Sequence, residues 1–210
     1  MNTGFLPVIH DPQAPEGLLA GGAVIGIVTN NTDPEGLSRV KVKFPSISDL
    51  DESFWARVAV PMAGNDRGVR FPLAIDDEVL VIFGHLREPF VVGALWNGKD
   101  KPPTEDNNLS VMKSRGGHVI TLNDADGAQT VEIVDASGKN SIVVDTAANT
   151  ITIRADKDIT LAAPNGTITL SAQTVEIAAS EKAEVSSGQD GLKVHSSGDV
   201  FVSGKTVNLN

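Results

Sequence analysis

Cysteine is absent from the 210-residue chain, and aromatic residues make up only 4% of it. The first absence excludes disulfides and thiolate metal sites, and it leaves the redox compartment open. The second means that a core must be built from Val, Ile, Leu and Ala, without large rings that each bury much surface. A basic surplus is also missing. The formal net charge is -10 and the sequence pI about 4.7, which excludes the cationic footprint that non-specific nucleic-acid binding needs. No partner nucleic acid is expected, and anionic lipid should be repelled. Long apolar runs are lacking as well. The N-terminus MNTGFLPVIHDPQ has no basic n-region and no continuous apolar h-region, and no stretch approaches the roughly 20 residues of a membrane span. The chain is therefore expected to be made in the cytoplasm without a signal peptide and to be carried if it leaves the cell. What remains is a 40% hydrophobic content, adequate for the core of one or two domains.

The chain has two halves with different patterning. Up to about Lys101, conventional strands are predicted at Ala23–Thr29, Arg39–Phe44, Trp55–Val60, Glu78–Phe83 and Phe90–Leu95. Turn formers such as Asp33-Pro34-Glu35-Gly36 and Gly64-Asn65-Asp66 bound them. Five strands without a helical pattern suggest a small closed barrel, and the five-stranded OB-fold fits, because closure removes exposed sheet edges. NGKDKPPTEDNN, Asn97 to Asn108, is polar with two consecutive prolines, so it is expected to be extended rather than part of a ladder.

From Val119 the units become very short. Apolar units begin at Val119, Val131, Ile142, Ile151, Ile159, Ile168, Val175, Ala183, Leu192, Val200 and Val207, an irregular internal repeat. Within a unit the first and third residues share one face, as Ile151 and Ile153 do, while Thr152 points the other way. Each unit is shorter than the five or six residues of a normal strand, so something outside it must complete its core. Two architectures could do so: a single-chain β-helix with three units per coil, or an intertwined trimer in which each chain supplies one side of a triangular prism. Periodicity alone leaves both open. Ordinary hairpins in a sandwich are disfavoured, because strands this short bury too little to offset their ordering entropy.

The residues that carry a resemblance lie in FWARVAVPMAGNDRGVRFPLAIDDEVLVIFGHLREPFVVGALWNGKDKPP, Phe54 to Pro103. The segments Trp55-Ala56-Arg57-Val58, Phe71-Pro72-Leu73, Asp77-Glu78-Val79-Leu80-Val81 and Val92-Gly93-Ala94-Leu95-Trp96-Asn97 follow in order. With Gly26 to Pro45 and the later short units, the chain resembles the VgrG and phage baseplate assembly protein V family, the central spikes of contractile tails and type VI secretion systems. Two loops depart from the family. Asp76 stands where the family often has Gly, and GHLREPFVVG replaces a Gly-Asp-rich turn; neither change should disturb the barrel.

The resemblance implies an all-β protein: a five-stranded OB-fold barrel followed by an intertwined trimeric β-helix, a β-prism needle. The implied divisions are an N-terminal extension over 1–20, the barrel over 21–100, a linker over 101–118 and the triple-stranded β-helix over 119–210. Its trimer core would include Ile142, Val144, Ile151, Ile153, Ile159, Leu161, Ile168, Leu170, Val175, Ile177, Val200 and Val202. If neighbouring layers keep sheet spacing of about 4.8 Å, the repeats would make a needle of roughly 50 Å. Only about 20 residues precede the first strand, so a bare spike is expected, docking through its barrel to a separate hub protein.

Catalytic signals are poor. His10, His85, His118 and His195 are scattered, and nucleophile elbow, zinc-type His pair and Walker loop are all missing. NDADG, Asn123 to Gly127, fails the EF-hand spacing and reads as a turn. Asp76-Asp77-Glu78 reads as a solvated turn into a strand, and Trp55 and Trp96 as barrel packing or subunit contacts rather than a stacking platform. Some family spikes close their tip with a His-x-His iron site. Here His195 is followed by Ser196-Ser197, so no metal and no cofactor are expected. Thr206, Val207, Asn208, Leu209 and Asn210, still in strand patterning, would instead receive a PAAR-like tip protein. Effector domains tethered to the spike are a further partner class that the resemblance allows.

The function expected is a structural, non-enzymatic one: a homotrimeric central spike that pierces a target envelope, touching the membrane mechanically only, assembled at the tip of a virion tail or a secreted injection particle. The alternatives are a single-chain β-helix enzyme acting on polysaccharide and an OB-type ligand-binding module on a stalk.

Overall fold

The structure, a computed structural model, describes residues 22–46, 48–84, 88–188 and 191–208. The expected extension over 1–20, together with His10, His85, Leu209 and Asn210, lies outside them. The chain divides into two compact units, one ending at Asp156 and one beginning at Lys157. All regular structure among the described residues is β, and no helix is long and apolar enough to cross a membrane.

The first unit begins with a curled sheet. Its strands are β1 (Ala23–Asn30), β2 (Lys41–Phe44), β3 (Ser48–Glu52), β4 (Arg57–Val58), β7 (Glu78–Phe83) and β8 (Pro89–Ala94), in the order β3-β2-β1-β7-β8-β4. β5 (Ala63–Gly64) and β6 (Arg67–Gly68) form a separate hairpin. Closure comes from the residues just before β2 and β4. Val40 donates to the Ala56 carbonyl at 3.0 Å and Ala56 donates back to Val40 at 2.7 Å, bridging the stretch before β2 to the stretch before the end strand β4. The five expected barrel strands correspond to β1, β2, β4, β7 and β8. Trp55–Val60 is corrected to a two-residue strand whose neighbour, Ala56, makes the closing bridge.

Alternation explains the barrel core. Gly26 and Val28 on β1, Val79 and Val81 on β7, and Val91 on β8 point inward, while Ile25, Ile82 and Val92 point out. Val28, Val40, Val42, Ala56, Val79, Val81 and Val91 are buried, with Phe44, Val58, Leu73 and Phe83 packed against them. A core built almost wholly of valine suits a narrow barrel, since β-branched side chains are stiff and pack well on a pleated surface.

A second sheet follows: β9 (Leu109–Lys113), β10 (Val119–Asn123), β11 (Thr130–Val134), β12 (Ser141–Asp145) and β13 (Thr150–Arg154), paired in sequence order, every pair antiparallel. This departs from the sequence reading in two ways. The units from Val119 to Arg154 are five-residue strands joined as hairpins, and they do not wind three to a coil. The cause is local, because Gly127, Gly138 and Asn149 adopt positive φ of 76°, 71° and 54° and reverse the chain. The Thr, Ser, Asn and Asp residues flanking each apolar triplet also join the ladder. Moreover, β9 falls inside the stretch expected to be a linker.

Beyond Arg154 no described residue lies in a paired strand. The second unit has a hydrogen-bonded turn at Ala163–Gly166, where Gly166 donates to the Ala163 carbonyl at 3.1 Å.

Candidate assembly interface

The five strands β9 to β13 share one device. Each is five residues long, and its second and fourth residues lie on the same face. Register stacks these positions into two columns. One runs Met112, Ile120, Ile133, Ile142, Ile153; the other runs Ser110, Leu122, Val131, Val144, Ile151. The nine apolar members are all exposed, Ile151 at 71%. The opposite face mixes Lys113, Thr121, Glu132, Asp145, Thr152 and Arg154 with Leu109, Val111, Val119, Val134 and Val143, and on β10 to β12 it is the less exposed of the two. A sheet that is apolar on one side and mixed on the other has a core face, and nothing in this chain's described residues covers it. Contiguous exposed apolar surface of this kind is a candidate interaction surface.

Ile142, Val144, Ile151 and Ile153 thus lie together on this face, as the one-face pattern within a unit implies. Met112, Ile120, Leu122, Val131 and Ile133 belong with them but are not among the expected core positions. For β10 the phase is corrected: Ile120 and Leu122 face the columns, and Val119, the expected start of that unit, lies on the other side, paired with Val134. The signal was present in the neighbouring strand, because Val131 and Ile133 can face only the alternate pair in an antiparallel partner of this register.

The second unit holds the other expected core positions. Ile159, Leu161, Ile168, Leu170, Val175, Ile177, Val200 and Val202 are all exposed, Leu161 at 68% and Ile177 at 76%. Here backbone groups as well as side chains lack strand partners. Val207 is exposed; Thr206 and Asn208 are exposed beside it.

Polar contacts bind the hairpin turns along one edge of the five-stranded sheet. Ala136 donates its N–H to His118 Nδ1 at 3.3 Å, Asp156 donates to Asn140 Oδ1 at 2.9 Å, and Lys139 Nζ meets Asp156 at 2.9 Å. Asp135 organises the turn between β11 and β12. Its carboxylate accepts from Ser137 Oγ, the N–H of Lys139 and both nitrogens of Asn140. The Ser137 hydroxyl foremost, then the Asn140 N–H, hold its pKa well below the ordinary aspartate value.

A second polar centre sits on the barrel. Asp33, its side chain only 3% exposed, pairs with the Arg39 guanidinium at 2.7 and 3.0 Å and accepts the N–H groups of Glu35, Leu37 and Arg39. Arg39 depresses the Asp33 pKa far below its usual range and is itself raised by Asp33. Trp55 lies between the Arg39 guanidinium at 5.8 Å and Lys41 Nζ at 5.6 Å, a packing role. Trp96, by contrast, is 70% exposed. Asp77 accepts the Ala74 N–H at 2.7 Å and Glu78 accepts from Asn97 at 3.1 Å, so both carboxylates are engaged in local structure. NDADG forms the turn between β10 and β11, with Asn123 Oδ1 accepting the Ala125 N–H. Among the described residues no group of three or more His, Cys, Asp and Glu side chains is gathered to hold a metal.

These features define a class: an all-β protein with a small closed barrel, a sheet with one uncovered apolar face, and a run of unpartnered strand-like units. Residues 24–96 match the family model of the type VI secretion system/phage-baseplate injector OB domain. No curated protein matches the chain. The match falls on the closed barrel, β1 to β8, and supports a structural, baseplate-associated role with assembly among baseplate components.

Proposed function

We propose that the chain is the central spike of a contractile tail or injection system: a homotrimer whose barrel docks to a separate hub protein and whose needle, residues 119–210 with the preceding β9, pierces the target envelope. The observation that carries this reading is the conjunction of an injector-type OB domain with a long run of apolar side chains that no described residue of their own chain covers. Copies of the same chain are the natural partners, because every copy offers the same two-residue apolar step. A three-sided prism lets each chain cover one side of a shared core. The outward barrel residues Ile25, Ile82 and Val92 supply apolar surface for a hub. Thr206, Val207, Asn208, Leu209 and Asn210 are the proposed seat of a PAAR-like tip protein, and the membrane is met mechanically only. On this reading the work is done by stiffness, without catalysis, and the assembled particle acts at a virion tail tip or outside the producing cell.

Mass in solution tests the core of the proposal. Light scattering should give three times the 22.0 kDa chain mass, in a species that resists detergent; a monomer would overturn the spike reading.

A further inference from the structure

Asparagine is followed by glycine twice in the sequence, at Asn97-Gly98 and at Asn165-Gly166, and the fold gives the two pairs opposite surroundings. Asn97, half-buried just past β8, has its side chain held at both polar atoms. Its Oδ1 accepts the N–H groups of Lys99 and Asp100, both at 2.8 Å, and its Nδ2 donates to Glu78 on β7 at 3.1 Å and to Asp100 at 3.4 Å. Asn165 and Gly166 are exposed. They complete the turn Ala163–Gly166, which is type I because Asn165 has no positive φ, and one hydrogen bond closes it, from Gly166 to the Ala163 carbonyl. We infer that Asn165 is a site of spontaneous covalent modification, converted to aspartate and isoaspartate through a succinimide ring, and that the barrel shields Asn97 from the same reaction. The reaction needs only this chain and water, so it does not depend on the proposed spike.

The Gly166 nitrogen, once it yields its proton to water or hydroxide, attacks Asn165 Cγ. The N–Cγ bond forms, the Cγ–Nδ2 bond breaks, and Nδ2 takes up a proton and leaves as ammonia. Water then opens the ring. Breaking the bond from the Gly166 nitrogen to Cγ gives aspartate; breaking the bond to the Asn165 main-chain carbonyl carbon gives isoaspartate, in which the chain runs through the former side chain. The net change is one amide hydrolysed by one water, with no electron transferred. Glycine in the second place favours ring closure, because no Cβ hinders the attacking nitrogen. At Asn165 only the bond that closes the turn must open first. No described residue pairs in a ladder with the flanking units Ile159-Thr160-Leu161 and Ile168-Thr169-Leu170, so this opening belongs to the low end of the local range. At Asn97 the amide must first leave Lys99, Asp100 and Glu78, within a barrel that has its own core. Each conversion adds a negative charge to a chain already at -10, and isoaspartate lengthens the main chain by a methylene between two apolar units.

The test incubates the full chain, folded, at neutral and at mildly alkaline pH, and follows both asparagines by peptide mapping with mass spectrometry, chromatography separating the aspartyl from the isoaspartyl peptides. Asn165 should lose its amide at least roughly tenfold faster than Asn97, a ratio equivalent to about 1.4 kcal/mol, and faster in alkali than at neutral pH. In urea at the same pH the gap should close, since both pairs share the Asn-Gly sequence. Gly166→Ala, whose Cβ would meet only the Ala163 Cβ at 3.9 Å, should keep the parent's melting transition and slow the conversion of Asn165. An Asn165 that keeps its amide in the folded chain while the chain in urea reacts would overturn the site. Equal rates at Asn97 and Asn165 in the folded chain, or a gap that persists in urea, would overturn the shielding by the barrel.

Discussion

Asp76 adopts a φ of 73° at the third position of the turn Ala74–Asp77, which is closed by the Asp77 N–H on the Ala74 carbonyl at 3.3 Å. A positive φ at that position defines a type II turn, where glycine is favoured, and the family that this sequence resembles often has glycine there. Aspartate tolerates the left-handed region better than most residues, but not freely. Asp76→Gly should therefore raise stability by up to ~1 kcal/mol in chemical denaturation, and Asp76→Val should lower it by about 1–2 kcal/mol. Asp33 makes a different residue-scale prediction. Its folded pKa is depressed by Arg39, so its contribution to stability is present above the ordinary aspartate value of about 3.9 and is lost as pH falls below that value toward the lower folded one. Asp33→Asn should thus lower the melting temperature at pH 7, and the gap between variant and parent should close in acid. A gap that stays constant between neutral and strongly acidic pH would show that Asp33 acts without its charge.

At the scale of elements, legibility in the sequence followed apolar enrichment between turn formers and stopped where that was weak. β1 and β7 were readable because each is a Val- and Ile-rich run, and β7 lies at the expected boundaries, Glu78–Phe83. β3 escaped notice because Ser48-Asp49-Leu50-Asp51-Glu52 is nearly all polar, as edge strands often are. β9 was hidden behind two prolines and carries only Met112 as an apolar member of its column. In β10 the residues Val119, Ile120 and Leu122 offer two phases, and only the register against Val131 and Ile133 selects one. The hairpin order of β9 to β13 was obscured for another reason. The turn residues Gly127, Gly138 and Asn149 permit reversals, but apolar triplets this short fit layers shared between chains as well as hairpins within one. For the units after Lys157 the limit is physical: no described residue of the chain pairs with them, so alternation alone has no register to select.

At the scale of the whole molecule, the barrel and the later units differ in how their apolar surface is covered. The barrel holds a core of its own, with Val28, Val42, Val79, Val81 and Val91 fully buried. The described remainder carries its large apolar side chains on the outside. Because β9 to β13 reverse direction at each step, the five-stranded sheet has a parity as well as a length. Removing residues 130–149 deletes β11 and β12 with their turns, and brings Gln129 against Thr150, which opens β13 as Thr130 opens β11. The chain would still run the same way at Arg154, and Ile151 and Ile153 would fall in the columns vacated by Val131 and Ile133. Removing 130–140, a single strand and its turn, would send everything downstream the opposite way. The even deletion should yield a soluble trimer shorter by two strand spacings, about 10 Å, and the odd deletion should misassemble; sedimentation and electron microscopy of the two variants would decide it. On the proposed trimer, a needle of such sheets changes its reach only in whole hairpins, like a ruler marked in double units.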